Sequence, residues 1–183
     1  RVFRLEKDKA MINRLGFNND GSKTVSERIV RNKSTGILGI NIGPNKDTKN
    51  QLEDFIIGFK NFYNLADYIT INISSPNTKN LRDFHEVKKL IELLSIIKKE
   101  KEKKKTHIPI MLKISPDIDE SEIEEIADVA INNSITALIL TNTSNKNRND
   151  LIEAHRNEIG GLSGKPLENI SNNIIKKFYK KLN

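Results

Sequence analysis

Four short apolar runs alternate with longer amphipathic stretches along the chain. The apolar runs are bounded by turn-forming residues and rich in β-favouring side chains, so each is predicted to be a strand. They span residues 37–42, 68–73, 108–114 and 137–140. Helices are predicted at residues 48–63 and 84–103, in the segment that follows Asp119, and at residues 167–182.

This alternation predicts an α/β fold. Strand and helix follow one another at intervals of roughly 30 residues, which is typical of βαβ units and of a parallel sheet. No Ser/Gly-rich linker divides the 183 residues, so one domain is expected. Four strands cannot close an eightfold β/α barrel, whose usual length is about 250 residues. The pattern therefore leaves two architectures open, an open sheet or a piece of a barrel.

Each predicted strand ends in polar side chains. These are Asn41 after the first strand, Asn72, Ser74, Ser75, Asn77 and Thr78 after the second, Lys113 and Ser115 after the third, and Thr141, Asn142 and Thr143 after the fourth. The carboxyl ends of parallel strands meet at one edge of the sheet, where β/α barrels and open sheets bind their ligands. The pattern predicts an active site at this edge, although a polar turn after each strand is the alternative.

Several kinds of chemistry are disfavoured. The absence of Cys excludes disulfides and thiolate sites, and no dinucleotide or Walker phosphate motif is present. His85, His107 and His155 lack the spacing of metal ligands, so packing or surface roles are expected and no metal site is predicted. No apolar run approaches the roughly 20 residues of a membrane-spanning helix.

The net charge of +7 raises the possibility of nucleic-acid binding. Much of the excess lies in residues 98–105 and in Lys176, Lys177, Lys180 and Lys181. The first stretch is the end of a predicted helix, where cations suit the helix dipole. Aromatic residues make up only 5% of the chain, so surfaces for base stacking are few. A solvated helix surface is favoured, and a basic nucleic-acid-binding module is kept as an alternative.

The polar strand ends offer neutral amides, hydroxyls and one lysine. Asn side chains both donate and accept hydrogen bonds, which suits a planar heterocycle with carbonyl and N–H groups. Lys113 follows apolar residues and needs an anionic partner, either a neighbouring carboxylate or a negatively charged cofactor. Residues 160–164 are expected to form a glycine-rich loop before a helix, which is a candidate phosphate site or simply a turn. Asp119 is expected to cap the helix that follows it.

Seven distinctive segments follow one another along the chain. They lie at residues 1–5, 12–18, 39–46, 72–82, 112–117, 141–143 and 160–164. In this order they resemble the class 2 dihydroorotate dehydrogenase family, the FMN-dependent, quinone-reducing enzymes of pyrimidine synthesis. The likeness extends from Arg1 to about Leu167. One departure is the pair Lys79 and Asn80, which stands where the family usually has Pro-Gly.

The resemblance implies a β/α (TIM) barrel with FMN across the carboxyl ends of its strands. Residues 1–183 are then expected to be an incomplete barrel with about four parallel strands, inactive by itself. The opening strands, the closing strands and an N-terminal membrane-docking segment are expected outside these residues. The implied activity is oxidation of dihydroorotate to orotate with a membrane quinone as electron acceptor. The implied location is the cytoplasmic face of a bacterial inner membrane, or the mitochondrial inner membrane. Related FMN barrels that act on dihydropyrimidines or dihydrouridine are the nearest alternative.

The resemblance also implies roles for individual residues. Ser75 corresponds to the catalytic base, which is Cys in the cytosolic class 1 enzymes. The residues that would bind FMN are Asn41, Asn72, Lys113, Thr141 and Gly164. The residues that would bind the substrate are Asn13, Arg14, Leu15, Gly16, Phe17, Asn72, Asn77, Asn142 and Thr143. Lys113 would stabilise the negative charge of reduced flavin, a role that proteins commonly supply.

Overall fold

A computed structural model describes residues 1–32 and 35–182 of the chain. This part contains seven strands and five α-helices. In chain order these are β1 (Val2–Leu5), β2 (Ala10–Asn13), α1 (Ser22–Arg31), β3 (Gly39–Ile42), α2 (Gln51–Phe62), β4 (Tyr68–Asn72), α3 (Val87–Lys103), β5 (Ile110–Ile114), α4 (Glu120–Asn132), β6 (Ala137–Leu140), β7 (Gly161–Gly164) and α5 (Glu168–Leu182). Three short 3₁₀-helices lie at Leu81–His85, Ala154–Asn157 and Lys165–Leu167.

The four predicted strands form one parallel sheet in the order β3-β4-β5-β6. The predicted helices are also present. Those predicted at residues 48–63, 84–103 and 167–182 begin one to three residues later than predicted. Helix α2 begins after Asn50, whose side chain accepts a hydrogen bond from the Glu53 amide at 3.2 Å. Helix α4 begins after Asp119, which forms a capping box with Glu122, so the predicted cap is confirmed.

The main hydrophobic core lies between this sheet and the helices α2, α3 and α4. Alternate residues of the strands, such as Ile69 and Ile71 of β4 and Leu112 of β5, are fully buried against Phe55 and Phe59 of α2 and their neighbours. Each buried side chain of this size contributes about 1.5–3 kcal/mol by leaving water. Since the strands follow chain order and the helices share one face, the sheet is an arc of a barrel. An open doubly wound sheet would carry helices on both faces.

The opposite face of the parallel sheet carries polar side chains. Asn41 lies beside Thr70 in the register of β3 and β4, and Asn72 lies beside Lys113 in the register of β4 and β5. These positions alternate with the apolar residues that face the helices, because successive side chains of a strand point to opposite faces. The core therefore directs Asn72 and Lys113 to the face that no helix of the described residues covers.

The second sheet was not predicted from the sequence. Strands β1, β2 and β7 form an antiparallel sheet in that order. The expectation that residues 160–164 form a loop is wrong, because Gly161–Gly164 pairs with Ala10–Asn13 along its whole length. A short bridge between Ser144 and Leu162 connects this sheet to the segment after β6.

Helix α1 was also missed. None of its residues is fully buried, so its apolar positions, among them Val25 and Ile29, form only a thin stripe. Within the described residues, no helix combines the length and the apolar character required to cross a bilayer.

Two isoleucines of α4 test the assignment of the core. Ile126 is fully buried, whereas Ile131 on the same helix is 57% exposed. We expect Ile126→Ala to lower the free energy of unfolding by about 2–5 kcal/mol, because it removes core contacts and leaves a cavity. Ile131→Ala is the matched control and should change it by less than about 0.5 kcal/mol. Urea-induced unfolding measures both, and equal losses would contradict this packing.

Candidate active site

The ends of β4 and β6 are joined by a chain of polar side chains. The Ser74 hydroxyl donates to Asn72 Oδ1 at 3.0 Å and accepts from Asn142 Nδ2 at 3.0 Å. Asn142 Oδ1 in turn accepts from the Thr143 amide at 2.7 Å. These contacts cross the end of β5, which lies between the two strands. The polar strand ends therefore meet at one edge, as the sequence pattern indicated.

Ser75 lies in the turn that follows this network. It is only 6% exposed, and its Oγ accepts a hydrogen bond from the Asn77 amide at 3.2 Å. The Asn77 amide thus binds the oxygen, and no described residue accepts the hydroxyl hydrogen, which can be donated to a ligand. Among the described residues, no carboxylate, imidazole or amine hydrogen-bonds to this hydroxyl. Its role as a base stays a prediction.

The turn at Ser75 contacts the antiparallel sheet through Asn77. Asn77 Nδ2 donates to the backbone oxygen of Asn13 at 3.2 Å and lies 3.4 Å from Asn13 Oδ1. Gly161 of β7 completes this contact, because a Cβ atom there would lie 2.0 Å from Thr143 Oγ1 and 3.1 Å from Pro76. Glycine is required at this position for the two sheets to approach so closely.

The predicted substrate segment 13–17 is divided between two places. Asn13 joins Asn77, as described above, whereas the Arg14 guanidinium packs over Phe3 and donates to the backbone oxygen of Ile159 at 3.4 Å. Leu15 is 47% exposed.

Gly16 and Phe17 lie beside β3 instead. They line a cavity of about 430 Å³ together with Asn41 and Gly43, and the Phe17 ring packs against Gly43. This cavity brings together residues predicted to bind substrate and a residue predicted to bind FMN. Its lining does not include Ser75.

Lys113 is half-buried on the face of the sheet that has no helices, next to Asn72. Within residues 1–32 and 35–182, no carboxylate forms an ion pair with Lys113, so the salt bridge considered from the sequence is not found there. Asn41, on the same face, is exposed. A cation and an amide with free hydrogen-bonding groups on one face suit a planar anionic cofactor.

The other two predicted FMN residues have structural contacts of their own. Thr141 Oγ1 lies 2.8 Å from the Ser171 hydroxyl of α5. Gly164 has a φ of 103°, and a Cβ atom there would lie 2.5 Å from the Lys9 backbone oxygen. Its glycine is explained by this close strand contact. A part in phosphate binding stays a prediction. Among the described residues, no cluster of three or more His, Asp or Glu side chains could hold a metal ion.

Sequence reasoning missed an ion pair behind the strand ends. Arg82 and Asp117 are joined at 2.6 Å, with side chains 21% and 4% exposed. Arg82 Nε donates to the Ser74 backbone oxygen at 3.2 Å, and its Nη2 donates to the Thr143 backbone oxygen at 2.8 Å. The sequence did contain a sign of this ion pair, because Arg82 and Asp117 carry opposite charges and each follows the polar end of a strand.

His85 has the packing role expected from the sequence. Its Nε2 accepts from the Ser115 amide at 3.3 Å, so its Nδ1 carries the hydrogen and donates to the Arg82 backbone oxygen at 2.9 Å. Burial lowers the pKa of His85 below its usual 6.5, against a smaller raising effect of the Arg82 carbonyl and Glu122. The ring is therefore neutral and connects the segment after β4 to the end of β5.

A family model described as dihydroorotate dehydrogenase matches residues 1–183. The chain belongs to the dihydroorotate dehydrogenase family. The dihydroorotate dehydrogenase (quinone) of Bartonella tribocorum is 46% identical over 187 residues, covering 100% of this chain and 52% of that protein. The enzyme of the same name from Shewanella piezotolerans is 44% identical over 183 residues, covering 97% of this chain and 54% of that protein.

Solved structures of dihydroorotate dehydrogenase have a fold similar to that of this chain. Dihydroorotate dehydrogenase of Eimeria tenella in complex with ferulenol has a TM-score of 0.91 at 35% identity, covering 100% of this chain and 56% of that one. Its ligand-free form has the same TM-score at 36% identity. The likeness confirms the predicted fold class, a β/α barrel of which this chain holds four parallel strands. The chain spans about half the length of the curated relatives it matches.

The departure from the family pattern at Lys79 and Asn80 has a simple structural account. Asn80 has a φ of 57°, in the left-handed region. Asn tolerates this conformation better than most residues, so it can replace the glycine that the family usually has in this loop. The Lys79 backbone oxygen accepts from the Gln51 side chain at 2.9 Å, which ties the loop to α2.

The neutral His85 predicts a pH dependence of stability. Because the pKa of His85 is lowered in the folded state, the unfolded chain binds the proton more readily. The free energy of unfolding should therefore fall as the pH drops below about 6.5, by at most about 1.4 kcal/mol per pH unit for one group. Above that pH His85 contributes no such dependence.

Urea unfolding at about pH 7.5 and about pH 5.5 measures this effect. His85→Gln should lose less stability between the two pH values than the wild-type protein. His107→Gln, at an exposed position, is the control and should keep the wild-type difference. An unchanged pH dependence in His85→Gln would show that other groups cause it.

Proposed function

We propose that the complete protein containing this chain oxidises dihydroorotate to orotate, with FMN as cofactor and a membrane quinone as electron acceptor, in pyrimidine synthesis. The observation that supports this most strongly is the meeting of Ser75 with Asn72, Asn77, Asn142 and Thr143 at one sheet edge. In a chain of the dihydroorotate dehydrogenase family, these are the residue types that a ring with alternating carbonyl and N–H groups requires.

Ser75 is proposed as the base that takes a proton from a ring carbon of dihydroorotate. A hydride leaves the neighbouring carbon at the same time, so that a carbon–carbon double bond forms. A bound FMN would supply the acceptor for this hydride and the two electrons that the quinone takes up. A serine hydroxyl is a weak base, so the proton must pass onward from Ser75. The free hydroxyl hydrogen is compatible with such a transfer, because Ser75 Oγ already accepts from Asn77.

Asn41, Asn72 and Lys113 are proposed to bind FMN on the face of the sheet without helices. Lys113 has no carboxylate partner among the described residues, and its ammonium lies on the same face as Asn41. This donor set fits the flavin ring, whose pyrimidine edge gains negative charge on reduction. Thr141 and Gly164 are proposed to complete the cofactor site.

The remaining proposals concern substrate and location. Asn13, Asn72, Asn77, Asn142 and Thr143 are proposed to hold the substrate. Arg14, Leu15, Gly16 and Phe17 are proposed to take part as well, although Gly16 and Phe17 line the cavity beside Asn41. A membrane quinone as acceptor implies that the complete protein works at a membrane surface, the bacterial inner membrane on its cytoplasmic side or the mitochondrial inner membrane. Residues 1–183 are proposed to be one part of the catalytic barrel domain.

The role of Ser75 can be tested in the protein encoded by the complete reading frame. Dihydroorotate is added without oxygen, and reduction of the bound flavin is followed by its absorbance. We expect Ser75→Ala to slow this step by about 10²–10⁴-fold while FMN stays bound, because a general base contributes that much. Ser95→Ala on α3 is the matched control and should keep the wild-type rate.

Ser75→Cys adds a second readout. A thiol has a pKa of about 8.5, so this variant should be faster than Ser75→Ala and should gain rate as the pH rises toward that value. If dihydroorotate does not reduce the flavin bound to the wild-type protein, the proposed activity is wrong. A wild-type rate in Ser75→Ala would instead remove only Ser75 from its role.

Lys113→Gln tests the cofactor site. Losing a charge-assisted hydrogen bond of about 1.5–3 kcal/mol should weaken FMN binding by roughly 10–100-fold. Equilibrium titration of the apoprotein, followed by flavin fluorescence, measures this. Lys99→Gln, at an exposed position on α3, should leave FMN affinity unchanged. Equal affinities in both variants would exclude Lys113 as an FMN ligand.

A further inference from the structure

Arg82 lies at the junction of three strand ends, next to the proposed site but not in it. Through the bonds of its Nε and Nη2, one guanidinium holds the backbone of the segments after β4 and β6. Its Nη1 binds Asp117, in the segment that follows β5, at 2.6 Å. No other arginine in the described residues contacts all three segments.

We propose that Arg82 is a positioning residue for the oxidation, and that its planar fork sets the places of Ser75 and Asn142 relative to each other. This inference rests on the proposed function. The two carbonyls that Arg82 binds belong to Ser74 and Thr143, each directly adjacent in sequence to one of these residues. Arg82 therefore acts on both sides of the substrate site through the backbone.

Asp117 orients the fork. Its Oδ2 accepts from Arg82 and from the Asn145 amide at 3.0 Å, and its Oδ1 accepts from the Ser144 hydroxyl. The carboxylate is 4% exposed and both of its oxygens accept hydrogen bonds, which hold it in this orientation. Asn145 Oδ1 also accepts from Arg82 Nη1 at 3.0 Å. The guanidinium is thus held by two acceptors while its other nitrogens hold the backbone.

The backbone of Arg82 is fixed as well. His85 donates to the Arg82 carbonyl and accepts from Ser115 at the end of β5. Main chain and side chain of Arg82 are therefore both tied to the strand ends. Such a rigid arrangement matters for rate, because a displacement of about 1 Å at a distance from the chemistry can cost roughly 10²-fold.

The geometry of Arg is what this role needs. A guanidinium donates in several fixed directions within one plane, whereas an ammonium is a single point of charge on a flexible stem. Arg82→Lys can keep the ion pair with Asp117 but cannot also reach both carbonyls. It removes the fork and preserves the charge.

Asp117→Asn makes the opposite change. The amide oxygen can still accept from Arg82 and from the Asn145 amide, so the orientation of the fork is kept while the negative charge is lost. The Ser144 hydroxyl, which already accepts from the Lys146 amide, loses its acceptor in this variant. Arg31→Lys on α1 is the surface control, because its ion pair with Glu27 is 3.8 Å long and exposed.

The experiment separates the two half-reactions in the complete protein with FMN bound. Flavin reduction by dihydroorotate is measured without oxygen, and reoxidation of the reduced flavin by a soluble quinone is measured separately. We expect Arg82→Lys to slow reduction by roughly 10²-fold, with FMN content and reoxidation rate unchanged. Asp117→Asn should slow reduction much less, and Arg31→Lys not at all.

Three results would overturn the proposal. The first is a wild-type reduction rate in Arg82→Lys. The second is equal loss of FMN and of both half-reactions, which would mean general damage to the fold. The third is a loss in Asp117→Asn as large as in Arg82→Lys, which would assign the effect to charge.

If Arg82→Lys does not fold, Asn145→Ala decides instead, because it removes one acceptor of the fork. Slower flavin reduction in Asn145→Ala supports the proposal, and a wild-type rate overturns it. Failure of the proposed function is recognised separately, because wild-type flavin would then not be reduced by dihydroorotate.

Discussion

The whole arrangement depends on burying one face of a parallel sheet beneath helices. Alternate residues of β4, such as Ile69 and Ile71, are fully buried against α2 and α3, and this packing sets the register of the strand. A slip of one residue would exchange the two faces and expose the apolar side chains. The same register therefore places Asn72 beside Lys113 on the other face. The position of the polar site is a consequence of the hydrophobic core.

The buried polar groups at the edge of the sheet need hydrogen-bond partners, because a buried polar group without a partner is destabilising. The structure satisfies these groups in two layers. Side chains of Asn72, Ser74 and Asn142 bind one another at the strand ends, and the Arg82–Asp117 pair binds the backbone behind them. Removing one partner of such a pair would leave an uncompensated charge, which is costly to bury. A site held in this way is preorganised before any ligand arrives, which is the condition that the proposed oxidation requires.

Much of the fold could be predicted from local patterns. The four parallel strands and the helices that follow them were recognised by their periodicity, and Asp119 was recognised as a cap by its residue type and position. The antiparallel sheet was missed, because each of its strands has only four residues and the pairing of Met11 with Ser163 spans 152 positions. Glycines at Gly161 and Gly164 suggested a loop, although they serve close contact between chain segments. Helix α1 was missed because no residue on it is fully buried.

The sequence by itself determined the α/β class, the polar strand ends and the family resemblance, because hydrophobic periodicity and short residue patterns are local properties. It also indicated that these ends share an edge, because the carboxyl ends of parallel strands lie at the same edge of a sheet. The pattern of strands and helices left an open sheet and an arc of a barrel both possible, and the family resemblance implied the barrel. The tertiary structure decided it, because the choice depends on which face the helices cover. The contacts of Asn77 with Asn13, and of Arg82 with three strand ends, were likewise decided there. They join residues far apart in sequence, and local sequence patterns do not indicate which distant residues will be in contact.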